Sequence, residues 1–251
     1  EHQHIRNTTI NYINNLFKEI PNTKIFISPG NHDPYLNNSI YANFNWNNNV
    51  IIFNSNIKKY SYEDVDIYGY GFTDFYCENS IINNLKIENK NKINILVMHA
   101  NLDQISDKKY NEVKTKDLDK LEFDYIALGH IHKRNFDDSM QENIIYPGST
   151  LALGFDEQGK HGIIEGEINN KDLKLKFIPL DEKEFNIINL DVTEIISKEE
   201  LIEKINNLEL IENNYYEIIF VGRRNFEINK YEINKFIIKN NFVFVINKST
   251  I

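Results

Sequence analysis

Ile93-Asn94-Ile95-Leu96-Val97-Met98-His99 and Tyr125-Ile126-Ala127-Leu128-Gly129-His130-Ile131-His132 share one pattern, a short apolar run that ends in imidazole side chains. The runs 93–98 and 124–128 are close to continuous rather than alternating, which predicts strands covered on both faces. A third β-type run, 24–28, leads into Pro29-Gly30-Asn31-His32-Asp33-Pro34. In open α/β sheets, functional residues collect just beyond the strand ends. Three such ends predict one site that joins Asn31, His99, His130 and His132.

Outward from these segments, Ile13, Leu16, Phe17 and Ile20 repeat at i, i+3, i+4, i+7. That spacing predicts a helix over 5–20 with this stripe buried, stopped by Pro21-Asn22. Further strands are predicted at 50–53 and 65–70. A second group, 143–146, 162–168 and 173–178, alternates more and is separated by Gly or Asn turns, so it reads as an antiparallel hairpin sheet. Charge rises at Asp181-Glu182-Lys183-Glu184, where a domain boundary is expected. Beyond it come a strand at 186–191, then a helix opened by the capping box Ser197-Lys198-Glu199-Glu200 with Leu201, Ile205 and Leu208 on its apolar face. A strand at 215–221, a helix near 229–239 (Ile233, Phe236, Ile237) and a strand at 242–246 complete a βαβαβ unit. The expected organisation is an α/β domain over 1–184 and a small α+β domain over 185–251.

Composition sets outer bounds. The 251 residues are 41% hydrophobic, enough to bury a core in one large and one small domain. No apolar run reaches the roughly 20 residues that span a bilayer, and no signal-peptide pattern opens the chain. The single cysteine, Cys77, excludes a disulfide framework and fits a reducing, cytoplasmic setting. The net charge of −9 argues against a simple electrostatic DNA binder. It leaves room for a nuclease, because divalent cations bring positive charge to the place where phosphate sits.

The donor types narrow the chemistry. Imidazole nitrogen and amide oxygen without thiolate suit borderline-to-hard cations such as Mn²⁺, Fe²⁺ or Zn²⁺. A neutral Asn binds a cation more weakly than a carboxylate does, which suits a site that must stay positive for a phosphate. Two metals about 3.5–4 Å apart can clamp a phosphoryl group between them.

Gly30-Asn31-His32-Asp33, the isolated His99 and Gly129-His130-Ile131-His132 resemble three motifs of the calcineurin-like metallophosphoesterases. Gly30 to Tyr35, Leu128 to Lys133, Tyr146-Pro147-Gly148-Ser149 and the block from Gly154 to Gly162 resemble more narrowly the SbcD-like DNA-repair exonucleases, the YhaO branch in particular. The resemblance runs to about residue 180, and the domain after 185 resembles their capping domain more weakly. It implies a metallophosphoesterase α/β sandwich that hydrolyses DNA phosphodiesters with two divalent metals, most readily Mn. It implies Asn31, His99 and His130 on one metal and His132 on the other. His32 would stand beside the scissile phosphate, with Asp33 orienting it. DNA and an SbcC-like coiled-coil ATPase are the implied partners, and a homodimer is allowed.

The family also carries an Asp-x-His motif and a Gly-Asp motif, and neither occurs before Gly30. The expectation is that the chain starts just past the Gly-Asp motif, short of one βαβ unit of roughly 30 residues. The bridging Asp would then lie outside this chain, and the polypeptide alone would be inactive or nearly so. Two rivals remain: a small-substrate phosphoesterase of the same superfamily, and a non-catalytic scaffold that binds a partner.

Other residues carry weaker signals. His161 and Arg134 are substrate-binding candidates, against a solvated turn residue and an ordinary surface charge. His2 and His4 open the predicted helix, where i, i+2 side chains diverge, so they do not read as a metal pair. Arg223-Arg224 is a basic doublet suited to DNA or a partner. Gly69-Tyr70-Gly71 is a turn or strand end and not a phosphate cradle, because the Lys-Ser/Thr that would follow is absent.

Overall fold

Strand pairing, more than helix packing, fixes where the predicted ligands lie. The computed structural model describes residues 5–78, 80–103, 109–139, 142–229, 233, 235 and 242–250. His2 and His4 lie outside the described residues. The chain divides into two units, Glu1–Gly148 with Ile163–Ile178, and Ser149–Gly162 with Pro179–Ile251. The second unit thus takes in 149–162 and 179–184, which the sequence reading placed before its boundary.

The first unit opens with α1 (Asn7–Glu19), β1 (Ile25–Ile27), α2 (Ile40–Asn43) and β2 (Val50–Ile52). It continues with β3 (Lys58–Ser61), β4 (Val65–Gly69), β5 (Ile93–His99), β6 (Asn101–Leu102), β7 (Glu112–Val113), α3 (Thr115–Asp119), β8 (Tyr125–Gly129) and β9 (Ile144–Ile145). The hairpin β10 (Gly162–Asn169) and β11 (Asp172–Pro179) follows. The main sheet has the order β3-β4-β5-β8-β9, antiparallel only between β3 and β4. Leu96, Met98, Ile126 and Leu128 turn their side chains into a buried cluster with Tyr68, Phe72 and Phe123, while Ile95, Val97 and Ala127 are half-buried on the other face. β1 and β2 form a separate parallel pair.

Two expectations for this unit are corrected. The run 143–146 is not part of an antiparallel hairpin sheet, because Ile144 and Ile145 extend the main sheet parallel to β8. Ile144, Ile145 and Tyr146 are all buried, and a strand covered on both faces belongs in a parallel sheet. The stripe on α1 is not a buried face either. Ile10 is buried and Ile13 and Phe17 are half-buried, but Leu16 and Ile20 are 42% and 46% exposed. The reason is that this helix leans on the 33–46 segment, so Ile10, Ile13 and Phe17 line a cavity of about 350 Å³ with Pro34, Ile40 and Trp46. β3 had no counterpart in the sequence reading, since Lys58-Lys59-Tyr60-Ser61 carries little apolar signal.

The C-terminus of α1 is closed by a residue distant in sequence. The Asn49 side-chain amide donates to the carbonyls of Phe17, Ile20 and Thr23, at 2.9, 3.1 and 3.1 Å. The last carbonyls of a helix lack internal partners, and a buried side chain supplies them here while its own backbone carbonyl accepts from Ile25.

The second unit holds β12 (Phe185–Asp191), α4 (Lys198–Asn206), β13 (Tyr215–Val221) and β14 (Phe242–Asn247), the strands all parallel in the order β12-β13-β14. Leu190, Leu201, Ile205, Ile218 and Phe220 form its core. The Ser197 hydroxyl accepts from the Glu200 amide at 3.2 Å, as a capping box requires. The Glu200 carboxylate accepts from Ile196 at 2.9 Å, one residue earlier than the motif specifies. The second helix expected, near 229–239, lies largely outside the described residues.

Replacing Asn49 by Ala removes a side-chain donor from the carbonyls of Phe17, Ile20 and Thr23, leaving Phe17 and Ile20 only their backbone N–H partners. Unfolding free energy is expected to fall by about 1–3 kcal/mol, seen as a lower urea midpoint with an unchanged slope.

Candidate metal centre

β5 and β8 pair in a register that sets His99 beside Gly129, so His99 and His130 leave the sheet from neighbouring strand ends. The loop after β1 brings Asn31 to the same place. The His99 Nε2 atom lies 2.8 Å from Asn31 Oδ1 and 3.2 Å from His130 Nδ1. The His99 and His130 rings meet edge to face, centroids 5.0 Å apart.

Glycine makes this approach possible. A Cβ at Gly30 would fall 2.5 Å from His99 Cε1, and one at Gly129 would fall 3.1 Å from His99 Nδ1. His130 itself has φ +115°, a backbone conformation that non-glycine residues rarely adopt. Such strain of order 1–3 kcal/mol persists only where the surroundings over-determine it. Asn111 secures the other side: its buried amide donates to the His99 carbonyl at 3.0 Å and its Oδ1 accepts from Ile81. Phe72 covers the His99 ring at 5.3 Å and Tyr110 lies against His130 at 5.2 Å.

His99 is 9% exposed. Burial, reinforced by the nearby charges of His130, His32 and His132, pushes its pKa down from 6.5 to about 3. The ring stays neutral and keeps a lone pair available, as metal binding requires.

The donor set fits a divalent cation. Metal–nitrogen and metal–oxygen bonds of about 2.0–2.2 Å place adjacent ligand atoms about 3 Å apart, the spacing of His99 Nε2 from Asn31 Oδ1 and from His130 Nδ1. The amide oxygen is needed to complete the three. Among the described residues no group of three or more His, Cys, Asp or Glu side chains is gathered for a metal. His32 and His132 are exposed, and both stand close enough for their charge to bear on His99.

The remaining sequence candidates are placed as follows. Asp33 Oδ1 accepts from the Gly30 amide at 3.0 Å and Oδ2 from the Tyr41 hydroxyl at 2.6 Å, so this carboxylate braces the turn that carries Asn31 and His32. The Arg134 guanidinium lies over the Phe177 ring, 3.7 Å from its centroid. His161, in the second unit, is buried: Ser149 Oγ stands 2.8 Å from its Nδ1, and the Glu157 carbonyl 3.2 Å from its Nε2. Its backbone amide donates to Asp181 at 2.8 Å, tying the 149–162 segment to residue 181. Gly69 ends β4 and a Cβ at Gly71 would meet the Phe53 carbonyl at 2.5 Å, so the Gly69-Tyr70-Gly71 stretch is a close-packed strand end. Sequence reasoning missed Tyr41, Phe72, Tyr110 and Asn111, which belong to no local motif.

The model of the calcineurin-like phosphoesterases matches residues 4–134, just over half of the chain. The chain belongs to this family. The match takes in Asn31, His99, His130 and His132 together. Over 78 residues the phosphoesterase is 37% identical to an uncharacterized metallophosphoesterase, YhaO, of Bacillus subtilis (strain 168). That stretch is 31% of this chain and 19% of the relative, so it spans about a fifth of the relative's length. The family's chemistry is phosphoester hydrolysis supported by divalent metals.

Two outcomes are expected of this site. Gly30→Ala removes no ligand but drives a methyl into the His99 ring, and should weaken Mn²⁺ binding on the order of 10–100-fold by titration calorimetry, as loss of ligand support does. In metal-free protein, the unfolded chain binds a proton at His99 below pH 6.5 while the folded chain resists until about pH 3. Stability is therefore full above pH 6.5 and falls as pH drops through that window, by roughly 1.4 kcal/mol per unit from this group. Urea melts of His99→Gln should show a flatter acid limb.

Proposed function

We propose that this phosphoesterase is the nuclease subunit of a DNA-repair complex, hydrolysing phosphodiester bonds with Mn²⁺ as the preferred metal. The observation that carries the reading is the convergence of Asn31 Oδ1, His99 Nε2 and His130 Nδ1 at ligand spacing. Extended likeness of Gly30–Tyr35, Leu128–Lys133 and the 146–162 block to SbcD-like exonucleases supports DNA as the substrate. In this reading Asn31, His99 and His130 hold one cation, and His132 contributes to a second.

A bound divalent cation supplies polarisation of a phosphoryl oxygen and activation of water for in-line attack. The protein's own residues do the rest. In this reading His32, exposed and within electrostatic reach of the ligand cluster, is the group that donates a proton to the departing oxygen. Asp33 keeps the Gly30–His32 turn in place through Gly30 and Tyr41. The neutrality of His99 leaves the site with a net positive charge once a cation is held. DNA and an SbcC-like coiled-coil ATPase are the proposed partners, and the cytoplasm is the proposed location. No helix among the described residues is long and apolar enough to cross a membrane.

A second reading, a small phosphodiester substrate, is favoured by one observation, the net charge of −9, which repels a polyanion. The two separate on substrate. With Mn²⁺ the full-length protein should degrade double-stranded DNA ends, and His32→Asn in it should cut kcat about 10²–10⁴-fold with metal content unchanged. Turnover of bis(4-nitrophenyl) phosphate with no cleavage of DNA would overturn the nuclease reading in favour of the second.

A further inference from the structure

A line of aromatic rings leads from the ligand cluster to the surface. The Tyr110 ring lies against His130, centroids 5.2 Å apart and planes at 37°. The Tyr76 ring lies against Tyr110 at 6.0 Å and 34°. The Lys109 ammonium stands over Tyr76, 5.7 Å from the ring centroid. The backbone holds these side chains in register: Cys77 bridges Tyr110, its amide donates to the Lys109 carbonyl, and the Asn111 amide donates to the Cys77 carbonyl. Asn111 is also the residue that secures the His99 carbonyl. These hydrogen bonds tie the segments that carry the rings to the strand end that carries His99.

Tyr76 is 54% exposed, although it is a large ring among residues whose neighbours Phe72 and Cys77 pack into the core. Burial does not account for its position. An exposed ring with a tyrosine behind it and a cation on it has the makings of a stacking platform, because every nucleobase presents a π-face and every nucleotide a phosphate. The two centroid steps put Tyr76 within about 11 Å of the His130 ring. That distance is roughly three stacked nucleotides at ~3.4 Å each.

We propose that Tyr76, backed by Tyr110 and flanked by Lys109, stacks a nucleobase of single-stranded DNA two to three nucleotides from the scissile phosphate. The proposal rests on the nuclease reading above and names the form of DNA that reaches the site, an unpaired strand such as the opened end of a duplex presents. Tyr76 supplies the face, Tyr110 sets its angle and distance from the ligands, and Lys109 meets the backbone phosphate. Tyr76 and Lys109 act on binding and not on the chemical step.

The test is binding of two labelled single-stranded oligonucleotides of equal length, one with all bases and one abasic over its central residues, in EDTA so that neither is cut. Fluorescence anisotropy of the 251-residue chain should show tighter binding of the base-bearing strand. Tyr76→Ala should weaken that strand about tenfold and leave the abasic strand unchanged, because only the former can stack. Tyr76→Phe should bind both as the parent does, and Lys109→Ala should weaken both alike. Equal affinity of the parent for the two strands, an equal loss on both in Tyr76→Ala, or no measurable binding of either strand would overturn the proposal. Base-dependent binding through Tyr76 without any DNA cleavage by the full-length protein in Mn²⁺ would overturn the nuclease reading alone. Cleavage without a Tyr76 effect would overturn this proposal alone.

Discussion

The parallel pairing of β5 with β8 is the constraint on which the site depends. It sets His99 level with Gly129, so that two imidazoles issue from adjacent strand ends and meet edge to face. A polar ring at the end of an apolar strand is costly to bury unless its nitrogens find partners. Here Nε2 faces both an amide oxygen and a second imidazole, and both are groups a cation can take over. The same burial that keeps His99 neutral keeps it ready to ligate. Packing and chemistry thus act through a single ring.

Close backbone approach is the second requirement. β1 and β2 form a sheet of their own, and the loop after β1 reaches β5 only because Gly30 has no side chain to meet His99. Asp33 then ties this loop to itself and to Tyr41, which lies beyond α1 in the chain and beside the cavity under that helix. Loss of α1 packing would loosen the turn that presents Asn31. The helix and its Asn49 anchor therefore belong to the support of the site as well as to the fold.

The sequence discloses those parts of the site that lie next to one another in the chain. Gly30-Asn31-His32-Asp33 and Gly129-His130-Ile131-His132 are contiguous, and His99 ends a seven-residue apolar strand, so order and residue type suffice to pick them out. The main strands were legible for the same reason, since buried runs such as Ile95–Met98 leave little ambiguity. What could not be read depends on partners far apart in sequence. Tyr41 meets Asp33 and Asn111 meets His99 only through tertiary packing. Residues 144–145 carried too few side chains to show whether their neighbours run parallel or antiparallel. The stripe on α1 has helical spacing, yet spacing says which residues share a face and not how much of that face is covered. His161 and Arg134 are substrate-binding candidates by their place in the chain, at a turn before a strand and just after the ligand loop; their observed contacts are with Ser149 and Glu157 and with the Phe177 ring.

His130 occupies a backbone conformation in which glycine would be more comfortable. A lineage selected for thermal endurance alone would drift towards glycine at that position and lose a ligand in the process. Its persistence as histidine would therefore record selection for activity, separately from any preservation of the fold. Among distant members that keep this sheet, the residue after the β8 glycine would then tell working enzymes from retired ones more directly than overall similarity does.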